Sequence, residues 1–263
     1  MGATDINWLN LGITYLLLSI PLLVLWYYET GLVGKVLIAT LRMSAQLFLV
    51  GFYLLYLIEY NNIFINLGWV LVMIVVAAIT TINRSQLKRK YFVLPVITGL
   101  IVAVAFTDSF LLGITIKMDG GISAQYLIPI TGMIIGNCME RNILVLGNYY
   151  SRIREHQQQY RFSVANGATR REALAPFIRD SIKKAFNPYI AMMMTIGIIS
   201  LPGMMTGQIL EGGSAFVAVK YQIMIVIAIF IASMITVMLS IFLANRITFD
   251  EYDNIREEVI GND

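Results

Sequence analysis

The sequence predicts an all-α integral membrane protein of about seven transmembrane helices, N-out and C-in, with a long helical insertion between the fifth and sixth spans. Three observations carry that prediction. The 263 residues are 58% hydrophobic and only 13% charged, with a mean hydropathy of +0.73, whereas soluble domains are about one-half apolar and about one-quarter charged. Apolar stretches near the roughly 20 residues that cross a bilayer recur along the chain. Lys and Arg gather in alternate connections, the pattern that marks the cytoplasmic side. The same composition excludes other classes. Twenty glycines and six prolines are too few for a low-complexity chain. One cysteine, Cys138, excludes a disulfide framework and a thiolate metal cluster, and one histidine, His156, excludes a two-histidine zinc site within one copy.

The expected spans are about Trp8–Tyr28, Val36–Ile58, Ile63–Ile82, Phe92–Ile116, Gln125–Gly147, Tyr189–Ile209 and Tyr221–Ala244. The first is too long in its apolar core for a cleavable signal and has no basic residue before it; Asp5 fits an end that crosses outward. Arg84, Lys88, Arg89 and Lys90 follow span three, and eight more basic residues lie between Arg152 and Lys184. With Lys35, Arg246 and Arg256 they put fifteen of the nineteen basic residues inside, leaving only Lys117 and Lys220 outside and Arg42 and Arg141 within spans.

Roughly 40 residues separate spans five and six, far more than an ordinary helix–helix link. Asn148 to Ala165 lack proline and glycine and are expected to extend span five into the cytosol as a helical stalk. Asn166-Gly167 tolerates positive φ and ends it. Thr169-Arg170-Arg171-Glu172 then fits a capping box, in which hydroxyl and carboxylate each satisfy a free amide at a helix start. Pro176 is expected to limit that helix to two turns and to open the approach to span six. A short Arg-rich helix held off the bilayer is shaped to be gripped by another protein, with Arg179 and Asp180 just beyond it; anionic lipid is the competing partner, most plausible for Lys183 and Lys184.

Several blocks here resemble one family. Gly167-Ala168-Thr169 with Ala173 resembles the coupling segment of ABC transporter permeases. Ile128–Asn137, Ile178–Ile182, Ser200–Gly207 and Lys220–Met224 resemble, in order and spacing, the small iron-export type ABC permeases, to which the plant aluminium-tolerance permeases are similar. The resemblance runs from about Ile128 to Met224, and Arg42 and Gln46 add a matching polar second span. It implies one permease domain over 1–263 with a cytosolic coupling region at about 148–187. It also implies pairing with a second copy, and a separate cytosolic ABC ATPase that binds ATP and Mg and docks on Gly167, Ala168, Thr169, Arg170, Arg171, Glu172, Ala173, Arg179 and Asp180. Export of a metal ion such as iron across the plasma membrane is the implied function, with a non-metal cargo such as a nucleotide sugar as the alternative. Independently, no G-x-x-x-x-G-K-[ST] is present, so this chain needs no cofactor of its own and any ATP belongs to a partner. No nucleic acid is expected as a partner.

Within the spans, Gly132, Gly136 and Glu140 form one stripe and Met133, Asn137 and Arg141 an adjacent one. Gly132-x-x-x-Gly136 and Gly203-x-x-x-Gly207 permit close helix approach, and the same residues could instead line a pathway. Glu140 and Arg141 lie near the cytoplasmic end, within reach of headgroup water. Pro202-Gly203 can break or kink span six. Met204, Met205 and Glu140 are the metal contacts the sequence offers, although thioether sulfur suits Cu(I) better than Fe(II) and methionine is ordinary packing material. Arg42 can snorkel to the surface; Asp108, near the outer end of span four, marks either an exit vestibule or the membrane surface. An ATPase-independent secondary transporter or channel would want a midplane charge and an internal repeat, and the chain offers neither. A membrane enzyme lacks its catalytic set.

Overall fold

The computed structural model describes residues 6–116, 123–250, 253–256 and 259. Asp5 and Lys117, used above to assign sides, lie outside them. The chain forms α1 (Trp8–Leu16), α2 (Ser19–Tyr27), α3 (Val33–Tyr60), α4 (Ile63–Arg84), α5 (Arg89–Phe110) continued by a π-helical turn at Leu111–Thr115, α6 (Ala124–Glu155), α7 (Gln157–Ala165), α8 (Arg170–Thr195), α9 (Gly203–Leu210) and α10 (Ala215–Thr248). Asparagine and serine side chains cap several starts, Asn62 accepting from Phe64 N and Ser123 from Gln125 N.

Among the described residues five helices are long and apolar enough to cross a membrane: Trp8–Tyr27, Val33–Tyr60, Ile63–Arg84, Arg89–Thr115 and Ala215–Thr248. They coincide with five of the seven expected spans. The expected fifth lies in α6, whose 32 residues run the full height of the bundle but carry Asn137, Glu140, Arg141 and Asn142 along the way. The expected sixth is broken, since α8 stops at Thr195, Gly197 turns at φ +87 and donates to Ser200 O, and α9 resumes at Gly203. The break falls before Pro202-Gly203, which instead open α9.

The core is a bundle of α4, α5, α6, α8 and α10. Asn61 Oδ1 accepts from Ala124 N at one end of α4 and α6, and Ser85 Oγ donates to Ile143 O near the other, so the two run parallel. α10 also runs parallel to α6, whereas α5 and α8 are antiparallel to it. The consequence is that the Arg84–Lys90 connection, α7, the start of α8 and the C-terminal tail all collect at one end, as the charge pattern requires. By contrast, α1, α2 and α3 barely join the bundle; only Leu57 of the three is buried.

Two local expectations are corrected. The stalk does not run unbroken to Ala165: α6 ends at Glu155 with His156 as its cap, and α7 departs so that Tyr160 can reach the tail, donating to Asp253 O at 2.7 Å with its ring tilted against Phe249. Pro176 does not end a two-turn helix either. It sits inside the 26-residue α8, as does Pro188. Pro176 and Glu172, whose carbonyl loses its donor, both face water, so hydration replaces the missing bond. On the opposite side Ala173, Leu174 and Phe177 are buried and hold the helix in place.

Candidate functional site

A polar seam joins α6 to α10. Cys138 Sγ and Ser233 Oγ lie 3.8 Å apart, Asn142 Nδ2 donates to Thr236 Oγ1 at 3.1 Å, and Tyr149 and Tyr150 both hydrogen-bond Asn245. Tyr150 also meets Thr248. The α6 members recur on one face, so the seam follows a single ridge from mid-bundle to the tail. Alongside it α5 approaches α10 closely at Gly99, where a Cβ would stand 2.8 Å from Ser240 Oγ and 2.9 Å from Thr236 O. Only glycine fits there.

Higher in the bundle, Thr131 Oγ1 of α6 donates to Asp108 Oδ2 of α5 at 2.5 Å. Asp108 is 9% exposed, in the packed interior rather than at the membrane surface. Among the described residues its Oδ1 has no hydrogen-bond partner, and neither polar atom of the fully buried Asn66 on α4 has one.

At the other end α6 is fastened to α8 by polar ties. Arg152 Nη1 meets Asp180 Oδ2 at 2.8 Å, Asn148 donates to Ser181 Oγ at 3.0 Å, and Lys184 Nζ donates to Asn148 Oδ1 at 2.8 Å. Arg141 is only 8% exposed, against the expected reach to headgroup water. Its Nη1 donates to Ala185 O at 3.2 Å, its guanidinium lies 5.1 Å from the Tyr189 ring centre, and Glu140 stands at 3.7 Å. Ala185 O is the carbonyl next to Lys184 O, which Pro188 deprives of its helical donor. A buried cation therefore clamps α8 beside the carbonyl that Pro188 leaves without a helical donor.

The turn into α8 is built as the capping-box reading requires. Gly167 has φ +90, Thr169 accepts from Glu172 N, and the Glu172 carboxylate accepts from Thr169 N at 2.9 Å. The Thr169 hydroxyl, donating to Glu172 Oε2 at 2.7 Å, and then the Thr169 amide hold the Glu172 carboxyl below its ordinary pKa. Arg170 turns inward, pairing with Asp253 and lying 5.6 Å from the Phe249 ring centre. Burial pushes the nearby Tyr160 phenol up to about 12. Gly167, Thr169, Arg171, Glu172 and Arg179 face water, while Ala168 is half-buried and Ala173 buried; Asp180 is tied to Arg152.

The residues expected to couple to an ATPase thus share one end of the molecule, but the expected pathway residues do not form one cluster. A Cβ at Gly132, Gly136, Gly203 or Gly207 would meet nothing within 4 Å, so neither glycine pair makes a close helix contact within the chain. Gly136 and Glu140 are exposed and Gly132, Met133 and Asn137 half-buried, which leaves this face of α6 uncovered. Arg42 and Gln46 are exposed on α3, and Met204 and Met205 are half-buried on α9, remote in the chain from Glu140. Among the described residues no three His, Cys, Asp or Glu side chains come together. Sequence reading missed Asn66, Thr131, Asn142, Tyr149, Tyr150, Thr236 and Asn245; the spacing of Cys138, Asn142 and Tyr149 at helical intervals was the one available signal.

Helices of bilayer length around a thin polar seam, with a capped and cationic element at one end, define a polytopic α-helical membrane protein. The chain belongs to the family described as Uncharacterised protein family (UPF0014), whose model matches residues 8–249. It is 30% identical over 262 residues to the probable iron export permease protein FetB of Escherichia coli (strain K12), covering 99% of this chain and 97% of that one. It is 29% identical over 256 residues to the UPF0014 membrane protein slr1647 of Synechocystis, covering 97% of each. The UPF0014 membrane protein STAR2 of Oryza sativa subsp. japonica is 31% identical over 222 residues, 81% of this chain and 73% of its own. This is the group to which the sequence blocks pointed. No solved structure matches.

Proposed function

We propose that this chain is the membrane-spanning permease subunit of an ABC transporter, that it works as a pair, and that it exports a metal ion across the plasma membrane. The observation that carries this reading is the element at Gly167–Asp180. Its start is capped, its outward face presents Thr169, Arg171 and Arg179, and its inward face is fastened to α6 and the tail. Such an element can be pushed from the water side without yielding locally. A separate ATPase that carries ATP and Mg would dock there. Closure of the ATPase pair on ATP would move α8, and Arg141, Asn148 and Arg152 would pass the displacement to α6. ATP shifts the permease only by as much as it favours one arrangement over the other. The uncovered α6 face with Gly136, Asn137 and Glu140 is poorly suited to lipid, which supports its facing a cavity shared with the second copy. The name of the Escherichia coli relative supports a metal cargo.

Reconstitution with the cognate ATPase and a panel of divalent metal ions tests the reading. Uptake into inverted vesicles should require both subunits and ATP. Movement of the same ion down its gradient by the permease alone would overturn it. Charge reversal at the exposed Arg171 and Arg179 together should cut ATPase stimulation at least tenfold with the melting temperature unchanged. Full stimulation would place the docking site elsewhere.

A further inference from the structure

Asp108 is a lone carboxylate inside the bundle. Among the described residues it has no basic partner, and Thr131 satisfies only one of its oxygens. Polar atoms buried in a membrane protein without partners are costly and call for an explanation. Here two such side chains occur at one level. From the Asn61–Ala124 contact, Asn66 lies five residues along α4 and Thr131 seven along α6, a difference in depth of about 3 Å at 1.5 Å per residue. From the Asn83–Arg89 contact at the opposite end, Asn66 lies seventeen residues along α4 and Asp108 nineteen along α5, again about 3 Å apart in depth. The first register puts Thr131 on the far side of Asn66 and the second puts Asp108 on the near side, so Asn66 falls between the two bonded residues in depth. α4 packs chiefly against α5 and α6, and Asn66 belongs to its fully buried stripe with Val70, Ile74 and Ala77. Asn66 is thus fully buried on a helix that packs against α5 and α6, at the depth of the Asp108–Thr131 pair. The π turn of α5 begins three residues beyond Asp108, a distortion frequent at functional sites.

We infer that Asp108, Thr131 and Asn66 form an intramembrane site for a single hard cation, with the Asp108 carboxylate supplying the charge and the Asn66 carboxamide and Thr131 hydroxyl supplying neutral oxygens. The donor chemistry selects the class of cargo: carboxylate, carbonyl and hydroxyl oxygens suit Mn(II), Mg(II) and comparable hard ions, not the soft Cu(I) that thioethers favour. One carboxylate with two neutral oxygens leaves the remaining positions to water, as in sites that hold and release an ion rather than store it. This deepens the metal-export reading and rests on it for the direction of movement, but binding itself requires no ATPase.

The test uses the full-length permease in lipid nanodiscs with Mn(II) as the probe, read by loss of the free-ion electron paramagnetic resonance signal. The wild type should bind one equivalent saturably. Asp108→Asn, which keeps the shape and the Thr131 contact, and Asn66→Leu should each weaken binding at least tenfold. Thr131→Val should weaken it and Thr131→Ser should restore it, with every variant monodisperse on size exclusion. Absence of Mn(II) binding by the wild type, or unchanged binding by Asp108→Asn, would overturn the site. Transport separates this inference from the one beneath it. If the reconstituted wild-type complex moves Mn(II) and the Asp108→Asn complex moves it equally well, the site is wrong and the permease reading stands. If binding behaves as expected but no ion of the panel is moved with ATP, the site stands and the export reading falls.

Discussion

Thr169 and Glu172 hold the first turn of α8 by reciprocal bonds, Thr169 accepting from Glu172 N and Glu172 accepting from Thr169 N. Replacing Thr169 by Ala should cost about 1 kcal/mol locally. Amide exchange at residues 170–173 should speed up about fivefold while the buried α6 amides stay protected, and Thr169→Ser should restore the wild-type rate. An unchanged rate would mean the cap contributes nothing. The carboxylate adds a pH dependence of defined sign. Glu172 has its pKa lowered in the folded protein, from 4.5, so its contribution is present above that value and is lost as pH falls through the lowered folded-state pKa. Protection of the first turn should therefore decline in acid for the wild type and stay flat for Glu172→Gln. At this scale the sequence was legible: Thr169, Glu172 and the positive-φ Gly167 are local devices whose spacing states their geometry. Arg170 was not, because its turn inward to Asp253 depends on a tail 83 residues away.

Gly99 sets how closely α5 and α10 can approach, and this is the element contact most sensitive to one methyl group. A Cβ there meets a backbone carbonyl as well as a hydroxyl. Gly99→Ala should lower the melting temperature, Gly99→Val should prevent recovery of folded protein, and Ser240→Ala should relieve the alanine variant only in part because Thr236 O remains. Full rescue would show that the hydroxyl alone limits the approach. The Arg152–Asp180 tie of α6 to α8 is a milder case, because both side chains are partly exposed. A double-mutant cycle should return less than about 1 kcal/mol, and the swapped pair should recover most of it. Helix existence was readable from apolar length and proline position, but helix contacts were not. Gly132 and Gly136 carry the close-packing pattern and meet nothing in the chain, whereas the isolated Gly99 does the packing. Spacing specifies a face but leaves open what that face meets. Pro176 misled for a related reason: its lost bond falls on the watered side of α8, and burial of Leu174 and Phe177 on the other side decides the outcome.

Taken as a whole, the molecule is a tightly packed bundle of α4 to α10 with a loosely attached pair of spans, α1–α2 and α3. The α1–α2 unit touches α3 through Tyr15 Oη and Ser44 Oγ at 2.5 Å and through Trp8 stacked on Phe48. The attachment to the bundle is confined to the end of α3, where Leu57 is buried, Tyr53 packs on Trp69 and Asn61 caps the start of α6. In lipid there is little apolar driving force between helices, so association rests on packing and polar bonds of this kind. A chain starting at Asn61 keeps that cap, and losing two spans together preserves the sidedness of those that remain. Residues 61–263 should therefore insert, purify as a single species and unfold cooperatively. Their melting temperature in detergent should fall by less than about 5 °C, the shift that about 1–2 kcal/mol produces in a domain of this size. Mn(II) binding should survive as well, since Asp108, Thr131 and Asn66 all belong to the retained bundle. A fragment that aggregates or melts without cooperativity would show that α1–α3 are integral to the core, and that their exposed faces complete it through contacts beyond a single copy of the chain.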